Sequence, residues 1–319
     1  MKKMWFRCGA AWLLAWVCCC QAWAMPKELI PGGCTVGIKL YSRGVIVTEV
    51  DPHSAAEQAG LKKGDVILAV DGAEVHTAEG LRRSLDDEVI LTVLRKGKKT
   101  DVAAEPKETA EGRRLGAYIR DSMAGIGTVT YCDPETGDFG ALGHGVNDVD
   151  TRELLPLEAG VVVPSSVSEV KRGQAGEPGE LKGIFDVRQI LGKVKDNTEK
   201  GIFGTMETPL SGKPLPVAEE SAIKTGPAWI LSNIRGEEVR AYSVEILKIY
   251  SNDRERGRNM LLQVTDEELL QQTGGIVQGM SGSPIIQDGK LIGAVTHVLV
   301  NDPTRGYGIF IENMLDAAA

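Results

Sequence analysis

The chain has 319 residues and a formal net charge of −8, with 42% hydrophobic and 25% charged residues. This composition is typical of a globular protein of one or two domains with a substantial core, and it excludes disordered and collagen-like classes. Acidic residues outnumber basic ones and no long basic run occurs, so nucleic acid is not an expected partner.

The first 24 residues have the pattern of an export signal. Three basic residues precede an apolar run at 10–20, and AWA at 22–24 has the small-x-small form of a signal peptidase site. A spanning helix needs about 20 apolar residues, so we expect a cleaved signal peptide, with a retained N-terminal anchor as the alternative. Two cysteines follow this leader, Cys34 and Cys132, which is too few for a disulfide framework but enough for one disulfide.

Residues 30–105 carry the element order of a compact β-rich unit. GVIVTEV at 44–50 predicts a strand, and SAAEQAG at 54–60 predicts a short helix that a serine caps and a glycine ends. LKKGDVILAVDG at 61–72 predicts a turn, a strand and a hairpin. A helix through residue 85 that Thr77 can cap and two further strands follow. This order, and SAAEQAGLKKGDVILAVDG in particular, resembles the PDZ domains of bacterial exported proteases.

The resemblance to PDZ domains implies a peptide-binding site. In such domains a peptide chain end adds a strand to a sheet edge, and the backbone N–H groups of a glycine-containing loop bind its carboxylate. By that resemblance, the binding loop falls on Thr35, Val36, Gly37 and Ile38. The alternative is a loop at the sheet edge that binds nothing.

A polar stretch separates this unit from a longer one. The stretch EPKETAEGRR at 105–114 has neither strand nor helix periodicity, and residues 106–112 within it are predicted to be a linker. Residues 113–319 contain many short strand-like segments separated by glycines. We therefore expect a mostly β protein, with any catalytic chemistry in its second unit.

A glycine-rich turn near the C-terminus carries the strongest catalytic signal. Residues 274–303 read GGIVQGMSGSPIIQDGKLIGAVTHVLVNDP, and the GxSGxP spacing that begins at Gly279 resembles trypsin-like proteases. Glycines let the backbone turn sharply, so that the N–H groups of Gly279 and Ser281 can point together at an oxyanion, which is typically worth about 3 kcal/mol per donor. Ser281 is the candidate nucleophile and Gly279 with Ser281 the candidate oxyanion hole. An ordinary glycine turn is the alternative.

A serine nucleophile needs a base beside it, and the chain has four histidines. His53 and His76 fall in the PDZ-like unit, at turn and helix-cap positions where solvated roles are expected. His297 lies in the strand after the serine, where we expect it to pack or to line a pocket. His144 ends a strand-like run in FGALGHGV between two glycines, so it is the candidate general base.

The third member of such a site is a carboxylate that fixes the tautomer of the imidazole. Asp266 lies 15 residues before the serine, whereas Asp148 and Asp150 follow the histidine closely. A capping-box pattern around Asp266 also explains it as the start of a helix. The pattern alone leaves this choice open.

Several segments together resemble the SpoIVB peptidase family of endospore-forming bacteria. They are the PDZ-like unit, GALGHGVNDVDT, GIFGT and the block that runs from TDEELL to VNDPT. The resemblance places the catalytic residues at His144, Asp266 and Ser281, and it implies a PDZ domain followed by a trypsin-like (chymotrypsin-type) double β-barrel. The short gap before the serine departs from ordinary trypsin-like enzymes, whose aspartate lies far earlier in the chain.

The same resemblance implies a role in sporulation. The protein would be exported into the space between the two forespore membranes, process itself, and cleave a regulatory protein there, which triggers sigma-factor processing by a membrane metalloprotease. Its partners would be protein substrates, including itself, and a membrane-bound sporulation regulatory complex. No cofactor or metal is expected, because neither HExxH nor paired CxxC motifs occur. The alternative is an inactive PDZ adaptor that keeps the protease shape.

Overall fold

The computed structural model describes residues 28–251 and 257–319, and the predicted leader lies outside them. The N-terminal half comprises β1 (Glu28–Pro31), β2 (Thr35–Val50), α1 (Ala55–Gln58), β3 (Val66–Val70), β4 (Ala73–Glu74), α2 (Ala78–Arg83), β5 (Val89–Arg95), β6 (Lys98–Ala104), β7 (Lys107–Thr109) and β8 (Gly112–Arg114). It continues with β9 (Ala117–Cys132), β10 (Asp138–Ala141), β11 (Leu157–Lys171), β12 (Glu180–Phe185), β13 (Gly192–Thr198), β14 (Gly201–Met206) and β15 (Leu215–Pro216).

After a 3₁₀ turn (Glu220–Ala222) come β16 (Gly226–Ser232), β17 (Arg240–Ile249), β18 (Met260–Val264), α3 (Glu267–Thr273), β19 (Pro284–Gln287), β20 (Lys290–Leu299), β21 (Asp302–Phe310) and α4 (Ile311–Ala318). None of the helices described is long and apolar enough to cross a membrane.

Beside the PDZ unit, the structure contains two six-stranded rings. In the first, β2, β9, β10, β14, β13 and β11 pair in that order, and β11 pairs back onto β2. In the second, β16, β17, β18, β21, β20 and β19 form a closed barrel. Each ring encloses its own apolar cluster, since alternate residues along a barrel strand face inward. The predicted mostly β fold, with a PDZ domain and a double β-barrel, is confirmed.

The PDZ unit is built around β3, β5 and β6, with a core of its own beneath the two short helices. Both predicted helix caps are present, because Ser54 Oγ accepts a hydrogen bond from the N–H of Glu57 and Thr77 Oγ1 accepts one from the N–H of Gly80. These caps satisfy N–H groups that the first helical turn leaves without a partner.

Strands β2 and β9 belong to both the PDZ unit and the first barrel. Inside the PDZ unit, residues 46–50 at the end of β2 pair with residues 117–120 at the start of β9. Within the barrel, residues 35–41 of β2 pair with residues 122–128 of β9. The PDZ unit is therefore inserted into a barrel hairpin, and the barrel begins well before the boundary that the sequence suggested.

The predicted peptide-binding loop at Thr35–Ile38 is not a loop, and this interpretation is corrected. These four residues are buried in β2, which pairs with β9 on one side and β11 on the other. A strand with neighbours on both sides has no free edge onto which a peptide could add. The alternation in TVGIKLYS is that of a barrel strand.

The segment predicted to be a linker also has structure. Lys107–Thr109 pairs with Gly112–Arg114 in a short hairpin, with Gly112 at a φ of +94°. Turn residues of this kind give no long-range periodicity, so a two-stranded ribbon of three residues per strand was not visible in the sequence.

Candidate active site

The Ser281 turn is held between the two barrels. Thr128 on β9 donates from its backbone N–H to the Ser281 carbonyl at 3.0 Å and from its hydroxyl to the Gly279 carbonyl at 2.7 Å. Two residues along the same strand, the Thr130 hydroxyl donates to the Gly282 carbonyl at 2.8 Å. From the other side, Gly282 N–H donates to the Val295 carbonyl on β20 at 2.7 Å. The turn is therefore fixed by both barrels at once.

Two backbone N–H groups in this turn are available for an oxyanion. The N–H groups of Met280 and Gly282 donate to carbonyls of Val277 and Val295. Within the described part of the chain, those of Gly279 and Ser281 have no acceptor. Gly279 has a φ of +99°, a conformation that only glycine adopts without strain. The assignment of these two N–H groups as an oxyanion hole stays a prediction.

His144 follows β10 in a turn where the residues on either side of it have room for glycine only. A Cβ on Gly143 would lie 2.9 Å from Cγ2 of Thr296, and one on Gly145 would lie 2.7 Å from the Thr198 carbonyl oxygen. His144 Nδ1 lies 2.9 Å from the carbonyl oxygen of Gly145, which favours the tautomer with the proton on Nδ1. Nε2 is then the nitrogen that can accept a proton.

Burial lowers the pKa of His144 below its ordinary value of 6.5, and the Gly145 carbonyl opposes this only in part. Removal from water disfavours the charged imidazolium more than the neutral ring. His144 is therefore neutral at pH 7, which is the form that a general base requires.

His144 and Ser281 line one cavity of about 520 Å³ between the barrels. The Ser281 hydroxyl donates to the Thr296 carbonyl at 2.7 Å and not to His144. No charged side chain lines this cavity; its walls are mainly apolar and are contributed by β2, β9, β20 and the turn that carries Ser281. Folding thus brings together two residues that are 137 positions apart in the sequence.

Asp266 lies at the start of α3, as its capping pattern predicted. It is the N-cap of α3, where Oδ1 accepts from the Leu269 N–H at 3.0 Å and Oδ2 from the Ser243 N–H at 3.3 Å. It does not line the cavity and has no hydrogen bond with His144. The capping explanation of Asp266 accounts for its contacts, and the structure does not bring it to the imidazole.

The other candidate carboxylates, Asp148 and Asp150, bind Arg120 of β9. Arg120 Nη1 lies 2.6 Å from Asp148 Oδ2, and Nη2 lies 2.8 Å from Asp150 Oδ2. Burial raises the pKa of Asp148, but hydrogen bonds from the Thr151 N–H and the Arg120 guanidinium outweigh it, so that the pKa is below its usual value. These carboxylates stabilise the loop after His144 and do not contact its ring.

His297 is the residue that pattern reasoning placed in a pocket without a role. It lines the same cavity, and its ring centroid is 5.1 Å from that of His144, with the planes at 40°. Among the described residues, its Nδ1 is buried without a hydrogen-bond partner. The position of His297 next to a strand irregularity was not readable from the sequence.

A second groove lies in the PDZ unit, between α2 and the N-terminal end of β9. Its volume is about 350 Å³, and its walls include Leu81 and Leu85 from the α2 side and the segment 113–119. In this segment Gly116 has a φ of +74°. Residues 117–120 of β9 pair with β2 on one edge, and no strand of the described part pairs with their other edge.

The chain thus consists of a PDZ unit and a double β-barrel, with a serine and a histidine in the cavity between the barrels. The family model of the SpoIVB peptidase S55 matches residues 111–315, and that of a PDZ domain matches residues 46–95. The chain belongs to the SpoIVB peptidase S55 family, because this match covers more than half of its length.

Similar proteins of known sequence include the putative zinc metalloprotease R01501 of Rhizobium meliloti, 36% identical over 31% of this chain and 28% of that protein. The periplasmic serine endoprotease DegP of Escherichia coli is 32% identical over 26% of this chain and 19% of that protein. The chain spans less than half the length of these relatives. Among solved structures, the inactive form of Rv3671c protease is 13% identical with a TM-score of 0.35, covering 60% of this chain and 81% of that one.

Proposed function

We propose that the protein is an exported serine endopeptidase in which Ser281 is the nucleophile and His144 the general base. The observation that supports this most strongly is that both side chains line one cavity, beside two N–H groups that have no acceptor among the described residues. Family membership and the similarity to periplasmic serine proteases support the class of reaction and export.

The reaction follows from these positions. The Ser281 hydroxyl leaves the Thr296 carbonyl, its oxygen forms a bond to the substrate carbonyl carbon, and its proton moves to Nε2 of His144. The carbonyl oxygen becomes an oxyanion that the N–H groups of Gly279 and Ser281 bind. His144 then gives the proton to the leaving nitrogen as the C–N bond breaks, which leaves an acyl ester on Ser281. Water attacks this ester while His144 takes its proton, and His144 returns the proton to the Ser281 oxygen as the ester bond breaks.

We extend the proposal to the role that the family resemblance implies. The protein processes itself and cleaves a regulatory protein in the forespore intermembrane space, which triggers sigma-factor processing by a membrane metalloprotease. Membership of the SpoIVB peptidase S55 family supports this role. The test mixes the purified regulatory protein with either wild type or Ser281→Ala. We expect wild type to cleave it and the variant not to; equal cleavage by both would overturn this role.

The basic activity is tested with a fluorophosphonate probe and with self-cleavage. Wild type is expected to be labelled and to process itself, whereas Ser281→Ala and His144→Ala are not. Ser283→Ala is the matched control, since that serine is two residues away and fully buried. Wild type that neither labels nor cleaves after any change of pH would favour the adaptor alternative.

A second proposed function is peptide binding in the PDZ groove between α2 and β9. The free edge of β9 and the adjacent apolar helix face support it, because a peptide strand that adds to a sheet edge needs both. The N–H groups around Gly116, with Arg113 and Arg114 nearby, suit a terminal carboxylate.

Arg114→Glu would reverse a charge beside this groove and is expected to weaken binding of a random C-terminal peptide library, whereas C-terminally amidated peptides should not bind wild type. Val36→Thr, at the position first considered for binding, serves as the comparison. Loss of binding in the Val36 variant with retention in Arg114→Glu would overturn this location.

A further inference from the structure

A further and larger groove lies away from both sites described above. Its volume is about 1050 Å³, and it is bordered by β1, the turn between β9 and β10, strands β13 and β14, and the C-terminal turn of α4. None of the residues that line it also lines the Ser281 cavity or the PDZ groove. A ligand of this groove would therefore be additional to the substrate and to the PDZ peptide.

The rim of this groove carries six carboxylates and one ammonium group. Lys195 lies 3.7 Å from Asp138, and in the part of the chain that the structure describes the other five have no ion-pair partner. The C-terminal turn of α4 adds the partial negative charge of a helix end. The six residues, which define the acidic groove, are Glu28, Asp133, Glu135, Asp138, Asp196 and Asp316. A ligand that complements this rim is cationic.

The floor of the acidic groove is apolar and includes one phenol without a partner. Leu29, Phe139 and Phe203 are buried there, and Tyr131 is only 3% exposed. The Tyr131 ring lies over Gly140 of β10, where an added Cβ would be 2.9 Å from Oη. No described residue forms a hydrogen bond with this Oη. A buried hydroxyl without a partner costs about 1 to 3 kcal/mol, so a ligand atom that accepts its hydrogen bond would be stabilising.

The phenol of Tyr131 is a neutral donor beside two anions. Burial, and then the carboxylates of Asp138 and Asp133, raise its pKa above the ordinary value of 10, so that it keeps its proton at pH 7. A peptide offers a partner to both kinds of group, namely a backbone carbonyl to the phenol and basic side chains to the carboxylates. A metal ion is a poor match, because no three potential ligands among the described residues converge on one point.

We propose that the acidic groove binds a basic segment of a partner protein, in which lysine or arginine side chains alternate with apolar ones. The cationic side chains pair with the rim, the apolar side chains pack on the floor beside Phe139 and Phe203, and the Tyr131 hydroxyl donates to a backbone carbonyl of the segment. A second copy of this chain complements the rim poorly, because its acidic residues outnumber its basic ones. The binding does not depend on the proposed catalytic residues.

The test measures fluorescence anisotropy with the full chain carrying Ser281→Ala, so that the probe is not cleaved. The probe is a fluorescein-labelled peptide of alternating lysine and leucine with an amidated C-terminus, which the PDZ groove is not expected to bind. We expect saturable binding that weakens as salt is added, because salt screens exposed charges. Asp316→Lys should weaken it about tenfold by charge reversal. Tyr131→Phe should weaken it about 3- to 10-fold, since one hydrogen bond is lost.

Glu245→Lys is the matched control for charge, since Glu245 is exposed on β17 and does not line the groove. A lysine–serine peptide tests the need for apolar side chains, and spermine tests whether charge alone suffices. Thermal unfolding identifies variants that have lost the fold, and Asp316, which is exposed, keeps the test decisive if Tyr131→Phe does not fold.

The proposal would be overturned by the absence of saturable binding, by equal weakening in Asp316→Lys and Glu245→Lys, or by equally tight binding of the lysine–serine peptide or spermine. Two further outcomes would assign the groove to another occupant and so overturn it as well. A synthetic peptide of residues 1–27 that displaces the probe at an equal concentration would indicate this chain's own leader. Sedimentation as a dimer that the probe dissociates would indicate a second copy.

Discussion

The hydroxyl of Thr128 donates a hydrogen bond to the carbonyl oxygen of Gly279 at 2.7 Å, although the two residues belong to different barrels. The bond is buried and joins β9 to the turn that supplies the proposed oxyanion hole. The orientation of the Gly279 and Ser281 N–H groups thus depends on a side chain 151 residues earlier in the chain.

Replacing Thr128 by Val tests this relationship. Val has a similar shape but no hydroxyl, so it leaves the Gly279 carbonyl buried without a partner, at a cost of about 1 to 3 kcal/mol. We expect a lower free energy of unfolding in urea and a labelling rate that falls with it. Thr128→Ser keeps the hydroxyl and is the control; equal losses in both variants would show that packing, and not the hydrogen bond, matters.

Gly282→Ala is predicted to be far more damaging than its size suggests. Gly282 has a φ of +97°, and an added Cβ would overlap the Thr128 carbonyl oxygen and lie 2.6 Å from the Leu142 nitrogen. The turn would have to move away from β9, so we expect loss of labelling together with destabilisation of a few kcal/mol. Gly289→Ala is the comparison, because its φ is +75° but nothing lies within 4 Å of the added atom. Similar effects of both changes would contradict the overlap argument.

The rate of Ser281 labelling should depend on pH through His144. Because the pKa of His144 is lowered, most of its ring is neutral by pH 6.5. The labelling rate should therefore increase with pH in the acidic range and be constant from about pH 7 upward. Measurement of the labelling rate across this range checks the prediction. An inflection above pH 7 would mean that the base is not the buried imidazole.

The free energy of unfolding should also decrease in acid, because of the buried histidines His144 and His297. When the pKa of a histidine is lower in the folded than in the unfolded protein, the unfolded state binds a proton first as the pH falls. The free energy of unfolding is then highest above the unfolded pKa and decreases as the pH falls toward the folded pKa. For His297 the window runs from about 6.5 down to about 4. We expect the unfolding free energy to fall over this range in wild type and to fall less in His297→Gln, and an equal slope in both would contradict this expectation.

Asp266→Ala should destabilise the protein by about 1 kcal/mol, since it removes the N-cap of α3. Asp266→Asn should cost much less, because the Asn oxygen can still accept from the Leu269 N–H. Urea unfolding distinguishes the two. An equal loss in both variants would show that the charge, which both of them lack, matters and not the cap.

The sequence predicted local structure well where the signals are themselves local. The Ser54 and Thr77 caps depend on residues within one helical turn, and both are present. The glycine turn around Ser281 was readable because a positive φ and a missing side chain are properties of single residues. The extended segment at 35–38 was misread, since a strand in a barrel and a strand beside a binding loop have the same local pattern.

The sequence by itself determined the mostly β class, the PDZ unit, the serine turn and the histidine between two glycines. Only the tertiary structure decided that β2 and β9 run through both units, that Asp266 is bound at a helix start, and that His297 lies against His144. The physical reason is that strand pairing and cavity walls join residues more than a hundred positions apart, and the side-chain alternation of a strand does not say which neighbour it will meet.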